Sequence, residues 1–198
     1  LLDVWLETKA STLKPRTLSD YRYECDRYIR PILGSLPLQK VTPHRIQRVL
    51  NRYQAEDHAH TARQVYRRLS QALDLAVRWD WLAVNPCQKV DNPVYRPQRK
   101  RVWTVDEMRT FLDGTREHWL YPLYVTAIGT GCRLGELLAL TWDDVDLHAG
   151  TLNVSKSAQR IDGARIVTDP KTVSGVRTLS LPAEVVRVLT RHQAQQAE

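Results

Sequence analysis

The chain is 198 residues long, with 29 Lys plus Arg against 22 Asp plus Glu, a formal net charge of +7. That length suits one or two domains with proper cores, and no apolar run approaches the roughly 18 residues that would span a bilayer, which excludes a helical membrane span. The basic excess is uneven: residues 1–98 carry 16 basic and 10 acidic side chains, net +6, whereas residues 99–198 carry 13 and 12, net +1. The front half is therefore expected to face an acidic polymer. Three widely spaced cysteines, Cys25, Cys87 and Cys132, with no C-x-x-C pair, argue against a disulfide framework or a zinc knuckle and read as buried thiols of a reducing cytoplasm. No signal-peptide pattern opens the chain, so a soluble intracellular protein is expected. Its start on Leu1-Leu2 without an initiator methionine reads as a fragment of something longer.

In chain order, residues 1–8 read as the end of a helix with Leu2, Trp5 and Leu6 on one side. A longer helix follows Lys14-Pro15, with Leu18, Tyr21, Cys25, Tyr28, Ile29 and Ile32 at three- and four-residue steps, and stops between Pro31 and Gly34. Thr42-Pro43 supplies an N-cap and a first-turn proline for a third helix, whose inner face is Ile46, Val49, Leu50 and Tyr53 and whose outer face is Arg45, Arg48 and Arg52. A fourth, expected to be capped by Thr61, buries Val65, Leu69, Ala72, Leu73 and Ala76, and offers Gln64, Arg67, Arg68 and Gln71 outward. Few acids interrupt the stretch from Arg45 to Arg78, and arginine and glutamine reach both phosphates and base edges, so these two outer faces are candidate double-stranded DNA contacts.

From Asp91 to Arg101 two prolines, the absence of apolar periodicity and the cluster Arg96, Arg99, Lys100 and Arg101 mark a basic linker that suits a bridge lying along phosphates. Domains of 1–90 and 102–198 are expected on either side of it. The second opens with a capping box, Thr104-Val105-Asp106-Glu107, ahead of Met108, Phe111 and Leu112. An apolar helix around Trp119 to Ile128 comes next. Gly129 and Gly131 then precede a helical pattern of Leu134, Leu137, Leu138 and Val145, which would place Arg133 in a first turn, where an anion is welcome and a planar guanidinium can grip two phosphate oxygens. Glu136, one turn on, is close enough to brace that guanidinium. Beyond it, 151–154, 166–168 and 178–181 read as strands, with Thr172 to Gly175 as the turn of a last hairpin that has Lys171 at its tip, and Pro182 starts a final helix with Val185, Val186 and Leu189 inward. Asp143, Asp144 and Asp146 are spaced to cap a helix end and its turn rather than to bind a metal.

Thr130-Gly131-Cys132-Arg133-Leu134-Gly135-Glu136-Leu137-Leu138, with Leu140, Trp142 and Asp146 after it, resembles the first arginine box of the tyrosine recombinases, the phage-integrase family. The resemblance continues through the front half, in Leu2…Trp5-Leu6, Thr17…Tyr21, Pro31-x-Leu33-Gly34-x-Leu36-x-Leu38 and Ala72…Ala76-Val77…Asn85-Pro86, and through Pro170-Lys171-Thr172…Ser174…Arg177. It implies a mainly α protein with a small antiparallel sheet: a helical core-type DNA-binding domain followed by the first part of an α+β catalytic domain. By that resemblance Arg133 would hold the scissile phosphate and Lys171 would protonate the departing 5′ oxygen, with no cofactor and no metal. The family's His-x-x-Arg box and nucleophilic tyrosine have no counterpart after Lys171: His192 is followed by Gln195, not arginine, the His60 to Arg63 pair lies far upstream, and the last tyrosine is Tyr124. The resemblance thus implies a site-specific DNA strand-exchange enzyme of a phage or another mobile element, acting in the cytoplasm of a bacterial host. That enzyme would work as a tetramer on its attachment site, with this chain a monomeric fragment that binds DNA and does not cut it. A rival of another class is a regulatory DNA-binding protein that keeps the fold without the chemistry. A type IB topoisomerase shares the chemistry, but the helical front half favours integrases.

Overall fold

The computed structural model describes residues 1–97, 100–168 and 175–197. The chain is mainly helical with small antiparallel sheets and divides into two compact units, Leu1–Arg99 and Lys100–Glu198.

The first unit is built from α1 (Leu2–Ala10), α2 (Pro15–Glu24), α3 (Arg30–Leu33), α4 (Pro43–Ala55) and α5 (Ala59–Arg78). A π-helical turn at Cys25–Ile29 joins α2 to α3, so the periodic run from Leu18 to Ile32 is nearly one rod with a widened turn at Cys25, which it presses into the core. Thr42 caps α4 as expected, its hydroxyl accepting from the Arg45 N–H. Thr61 does not cap α5. That helix begins three residues earlier than such a cap would set, at Ala59 after His58, because Asp57 takes a left-handed turn at φ 56° and brings the chain round directly after α4. The core of the unit gathers Trp5, Cys25, Ile29, Ile46, Leu50, Val65, Leu73 and Cys87, all almost fully buried. Burial pushes the thiols of Cys25 and Cys87 up to about 12, so both stay protonated and unreactive at neutral pH. Asn85, also buried, donates to the Ser70 carbonyl (3.0 Å) and to Asp74 (2.6 Å) while its own oxygen accepts from the Cys87 N–H (2.8 Å). It thereby ties the segment after α5 back onto that helix. The start of the expected linker is attached too: Pro93 is buried, the Asp91 N–H donates to Gln47, and Tyr95 packs edge-on against His60.

The second unit carries α6 (Val105–Gly114), α7 (Tyr121–Thr130), α8 (Leu134–Leu137) and α9 (Ala183–Ala197) around two sheets. The capping box at Thr104 and Glu107 forms with both its hydrogen bonds. Strands β1 (Val145–Asp146), β2 (Thr151–Val154) and β5 (Arg177–Ser180) make one antiparallel sheet in the order β1-β2-β5, and β3 (Ser157–Ile161) with β4 (Ala164–Thr168) makes another. Here the strand pairing expected from sequence is corrected. β4 does not form a hairpin with β5; it pairs with β3, which periodicity did not reveal, across a tight turn at Asp162-Gly163, and β5 pairs with β2 in the register Val154↔Arg177. Lys171, expected at the tip of a β4–β5 hairpin, lies outside the described residues. Leu152, Val154, Leu181, Val185 and Leu189 close the core beneath α7 and α9.

Two glycines of the arginine box have structural work of their own. Gly131 ends α7 in the left-handed region at φ 64°, which turns the chain toward Arg133. Gly135 lets α8 approach β3: a Cβ there would lie 2.6 Å from the Ser157 hydroxyl and 3.0 Å from the Ala158 carbonyl oxygen. Gly135→Ala is expected to cost about 1–3 kcal/mol of stability, since the carbonyl cannot swing aside as the hydroxyl can. A urea melt of the purified variant that matches the wild type would refute this.

Candidate nucleic-acid interface

The arginine box departs from the helix expected of it. α8 is a single turn; Arg133 is the residue before it, in extended conformation at φ −69° and ψ 150°, and not inside a first helical turn. Leu134 and Leu138 are exposed, so they do not form one buried face with Leu137, because the chain leaves helical conformation before a second turn could align them. What fixes Arg133 is the buried carboxylate of Glu136. Its Oε2 accepts from the Arg133 backbone N–H (2.9 Å) and its Oε1 from the Arg133 guanidinium (2.9 Å). The same two oxygens accept from both terminal nitrogens of Arg177, at 3.2 and 2.8 Å. Hydrogen bonding to Arg177 first, then to Arg133, outweighs burial and holds the Glu136 carboxyl down at about 2. The Arg133 side chain is 79% exposed against 9% for Glu136, so the guanidinium stands in solvent on a buried base.

Arg177 is the residue that sequence reasoning left without a role. The last strand was expected from residue 178, leaving Arg177 just outside it, and its Glu136 partner lies 41 residues away on α8. Cys132 is buried beside this group. Asp144 and Asp146 serve as caps: Asp144 accepts from the backbone and hydroxyl of Thr141, and Asp146 from the Ala149 N–H.

On the first unit, Arg45, Arg48 and Arg52 line up on one side of α4 beside Ile32, Leu33 and Leu36 and edge an open groove of about 410 Å³. Arg45 and Arg48 are exposed with no ion pair among the described residues, while Arg52 pairs with Glu56 one turn on. The α5 set divides. Arg67 and Gln71 are exposed, and Gln64 is half-buried with its side-chain oxygen enclosed and unpartnered. Arg68 is corrected: it is buried, bonded to Glu24 at 2.5 Å, and laid over the Tyr21 ring at 3.5 Å. Its position is inward because an α5 face wide enough to pack against both α2 and α4 takes in one more residue than the apolar stripe shows. In the linker set, Arg96 and Lys100 are exposed, Arg101 pairs with Glu107, and Arg99 lies outside the described residues.

Residues 1–92 match the family model of the phage integrase central domain. Over its whole length the chain is 26% identical to the ICEBs1 integrase of Bacillus subtilis and 29% identical to a XerC-like tyrosine recombinase of Caldanaerobacter subterraneus, covering 55% of each. The chain is thus similar over its whole length to integrases and tyrosine recombinases, and its first 92 residues match the central domain of phage integrases. Among solved structures, a lambda integrase dimer bound to a COC' core site matches 96% of this chain and 52% of its own at a TM-score of 0.73 and 26% identity, and the same integrase is also known as a tetramer bound to a Holliday junction. The chain spans about half the length of the curated relatives it matches. None of its helices, among the described residues, is long and apolar enough to cross a membrane.

The paired environments of Arg67 and Arg68 give a direct contrast. Arg68→Ala strands the Glu24 carboxylate and is expected to cost about 3 kcal/mol or more, whereas Arg67→Ala stays within about 0.5 kcal/mol. Denaturant melts of the two variants decide this, and equal losses would refute it.

Proposed function

We propose that these 198 residues are the DNA-gripping and arginine-box part of a site-specific tyrosine recombinase, which cleaves and rejoins DNA through a 3′-phosphotyrosyl link. The observation that carries the reading is Arg133: a solvent-facing guanidinium held at its base by a buried carboxylate, in a chain whose relatives are integrases and recombinases. The outward side of that guanidinium is open to phosphate oxygens, and a planar fork suits that task better than a point charge. In this reading Arg133 grips the scissile phosphate and stabilises the charge that grows on it. Lys171 delivers a proton to the 5′ oxygen as the phosphorus–oxygen bond breaks. The attacking tyrosine has no candidate after Lys171, so this chain alone binds DNA without cutting it.

The first unit supplies the grip. Arg45, Arg48 and Arg52 on α4, Gln64, Arg67 and Gln71 on α5, and Arg96, Arg99, Lys100 and Arg101 between the units contact the attachment-site duplex, while Arg68 is spent inside the domain. The chain by itself is a monomer; a longer protein carrying it assembles as a tetramer on DNA in the cytoplasm of a bacterial host.

The deciding experiment traps a nicked attachment-site duplex against this chain and against a longer protein that contains it, and looks for covalent adducts on denaturing gels. An adduct with the longer protein only, together with a native-gel shift for the chain, is the expected result. Binding without any adduct in the longer protein would favour a regulatory DNA-binding protein that kept the fold. Salt titration adds a number: Arg45→Ala with Arg48→Ala should lower the slope of log affinity against log salt by about 1.8, or roughly 0.9 for each phosphate that is no longer neutralised. An unchanged slope removes α4 from the interface.

A further inference from the structure

We infer that Arg177 is the positioning residue for Arg133, acting through the Glu136 carboxylate and leaving a net positive charge free at the arginine box. The inference rests on the reading of Arg133 as the phosphate-gripping arginine. Each oxygen of Glu136 accepts one hydrogen bond from Arg133 and one from Arg177: Oε1 from the two guanidinium groups, at 2.9 and 3.2 Å, and Oε2 from the Arg133 backbone N–H and from the second Arg177 nitrogen, at 2.9 and 2.8 Å. Arg177 is itself fixed twice, by the β5–β2 register and by donation to the Gly175 carbonyl at 3.3 Å.

Electrostatics explains why a second arginine is needed. Arg133 and Glu136 alone sum to zero, and a buried carboxylate with one cation would compete with any phosphate for that cation. Arg177 takes the carboxylate in a bidentate grip and restores a net +1, so Arg133 is aimed by Glu136 without being neutralised by it. Order matters as much as charge. An exposed arginine loses rotamer freedom when it engages a ligand, and a base already fixed reduces that loss.

A purely structural ion pair would also place Arg177 beside Glu136, so the test must read more than stability. In the 15N-labelled chain, the Arg133 Nε–H signal, assigned by its absence in Arg133→Ala, reports order through its heteronuclear NOE. A short duplex carrying the attachment sequence reports affinity. Arg177→Ala is expected to lower the NOE to that of the exposed Arg45 and to weaken duplex binding roughly threefold to tenfold. Arg177→Lys keeps the charge and loses the fork, so it recovers part of the affinity and less of the order. Val185→Ala, a core truncation in the same unit, serves as the stability control and should leave both readouts unchanged. If Arg177→Ala does not fold, Arg177→Lys carries the same test. Arg133 as ordered in the folded Arg177 variants as in the wild type, or disordered equally in Val185→Ala, overturns the inference. If Arg177→Ala disorders Arg133 while Arg133→Ala leaves duplex affinity unchanged, the positioning role stands and the phosphate-gripping role of Arg133 falls.

Discussion

Glu136→Ala removes about 3–5 kcal/mol from the stability of the second unit, because it leaves the Arg177 guanidinium, tied to the sheet, without the carboxylate that compensates its partial burial. Urea melts at pH 7 should show it as a lowered midpoint, with Glu136→Gln intermediate since the amide keeps one acceptor oxygen. The effect has a pH signature. Arg177, then Arg133, hold the folded carboxyl at about 2, below the ordinary value of 4.5. A depressed carboxylate stabilises the folded state fully above its unfolded pKa, so this contribution is complete above about pH 4.5 and is lost as pH falls toward 2. Integrated over that window the loss is on the order of 3 kcal/mol. The wild type should therefore lose its advantage over Glu136→Gln between pH 4.5 and 2. Parallel pH profiles of the two proteins would sink the assignment.

Arg133→Ala, made in a longer protein that carries this chain and a nucleophilic tyrosine, is expected to lower the rate of covalent adduct formation about 10²–10³-fold, the usual cost of removing one donor to a developing anionic centre. Affinity for the duplex should fall less than about tenfold, since most phosphate contacts are made elsewhere. Arg133→Lys should also be impaired, because an ammonium cannot reproduce two parallel donors. Single-turnover measurements on a nicked duplex separate the two quantities. An Arg133→Ala protein that binds far more weakly yet forms adduct at the wild-type rate once saturated would show that Arg133 serves binding alone.

Local signals carried much of the fold. Thr42-Pro43 and the Thr104/Glu107 box start their helices as read, because a cap is a contact within one turn and needs no distant partner. The inner faces of α4 and α5 were legible for the same reason: an amphipathic stripe is written at fixed spacing. Arg68 escaped that logic. Its charge marks a solvent position, yet Glu24 and Tyr21, more than forty residues upstream, draw it in. Strand β3 escaped as well, since Ser157-Ala158-Gln159-Arg160-Ile161 has only two buried apolar side chains and is defined by pairing with β4.

The sequence by itself carried the resemblance to tyrosine recombinases and pointed to Arg133 and Glu136, because the glycines, Arg133, Glu136 and the following Leu-x-Trp fall within one short stretch. The reason for two of its glycines came from the structure: Gly131 takes a left-handed turn and Gly135 lets α8 approach β3. The Glu136 brace on Arg133 was legible at one-turn spacing, whereas tertiary structure alone brought Arg177 onto the same carboxylate. Arg177 donates to both Glu136 oxygens from the start of β5, 41 residues further along the chain, and no spacing within the arginine box announces that contact. Spacing along a chain records contacts within a few residues. Contacts between strands are set by register, and register is a property of the folded sheet.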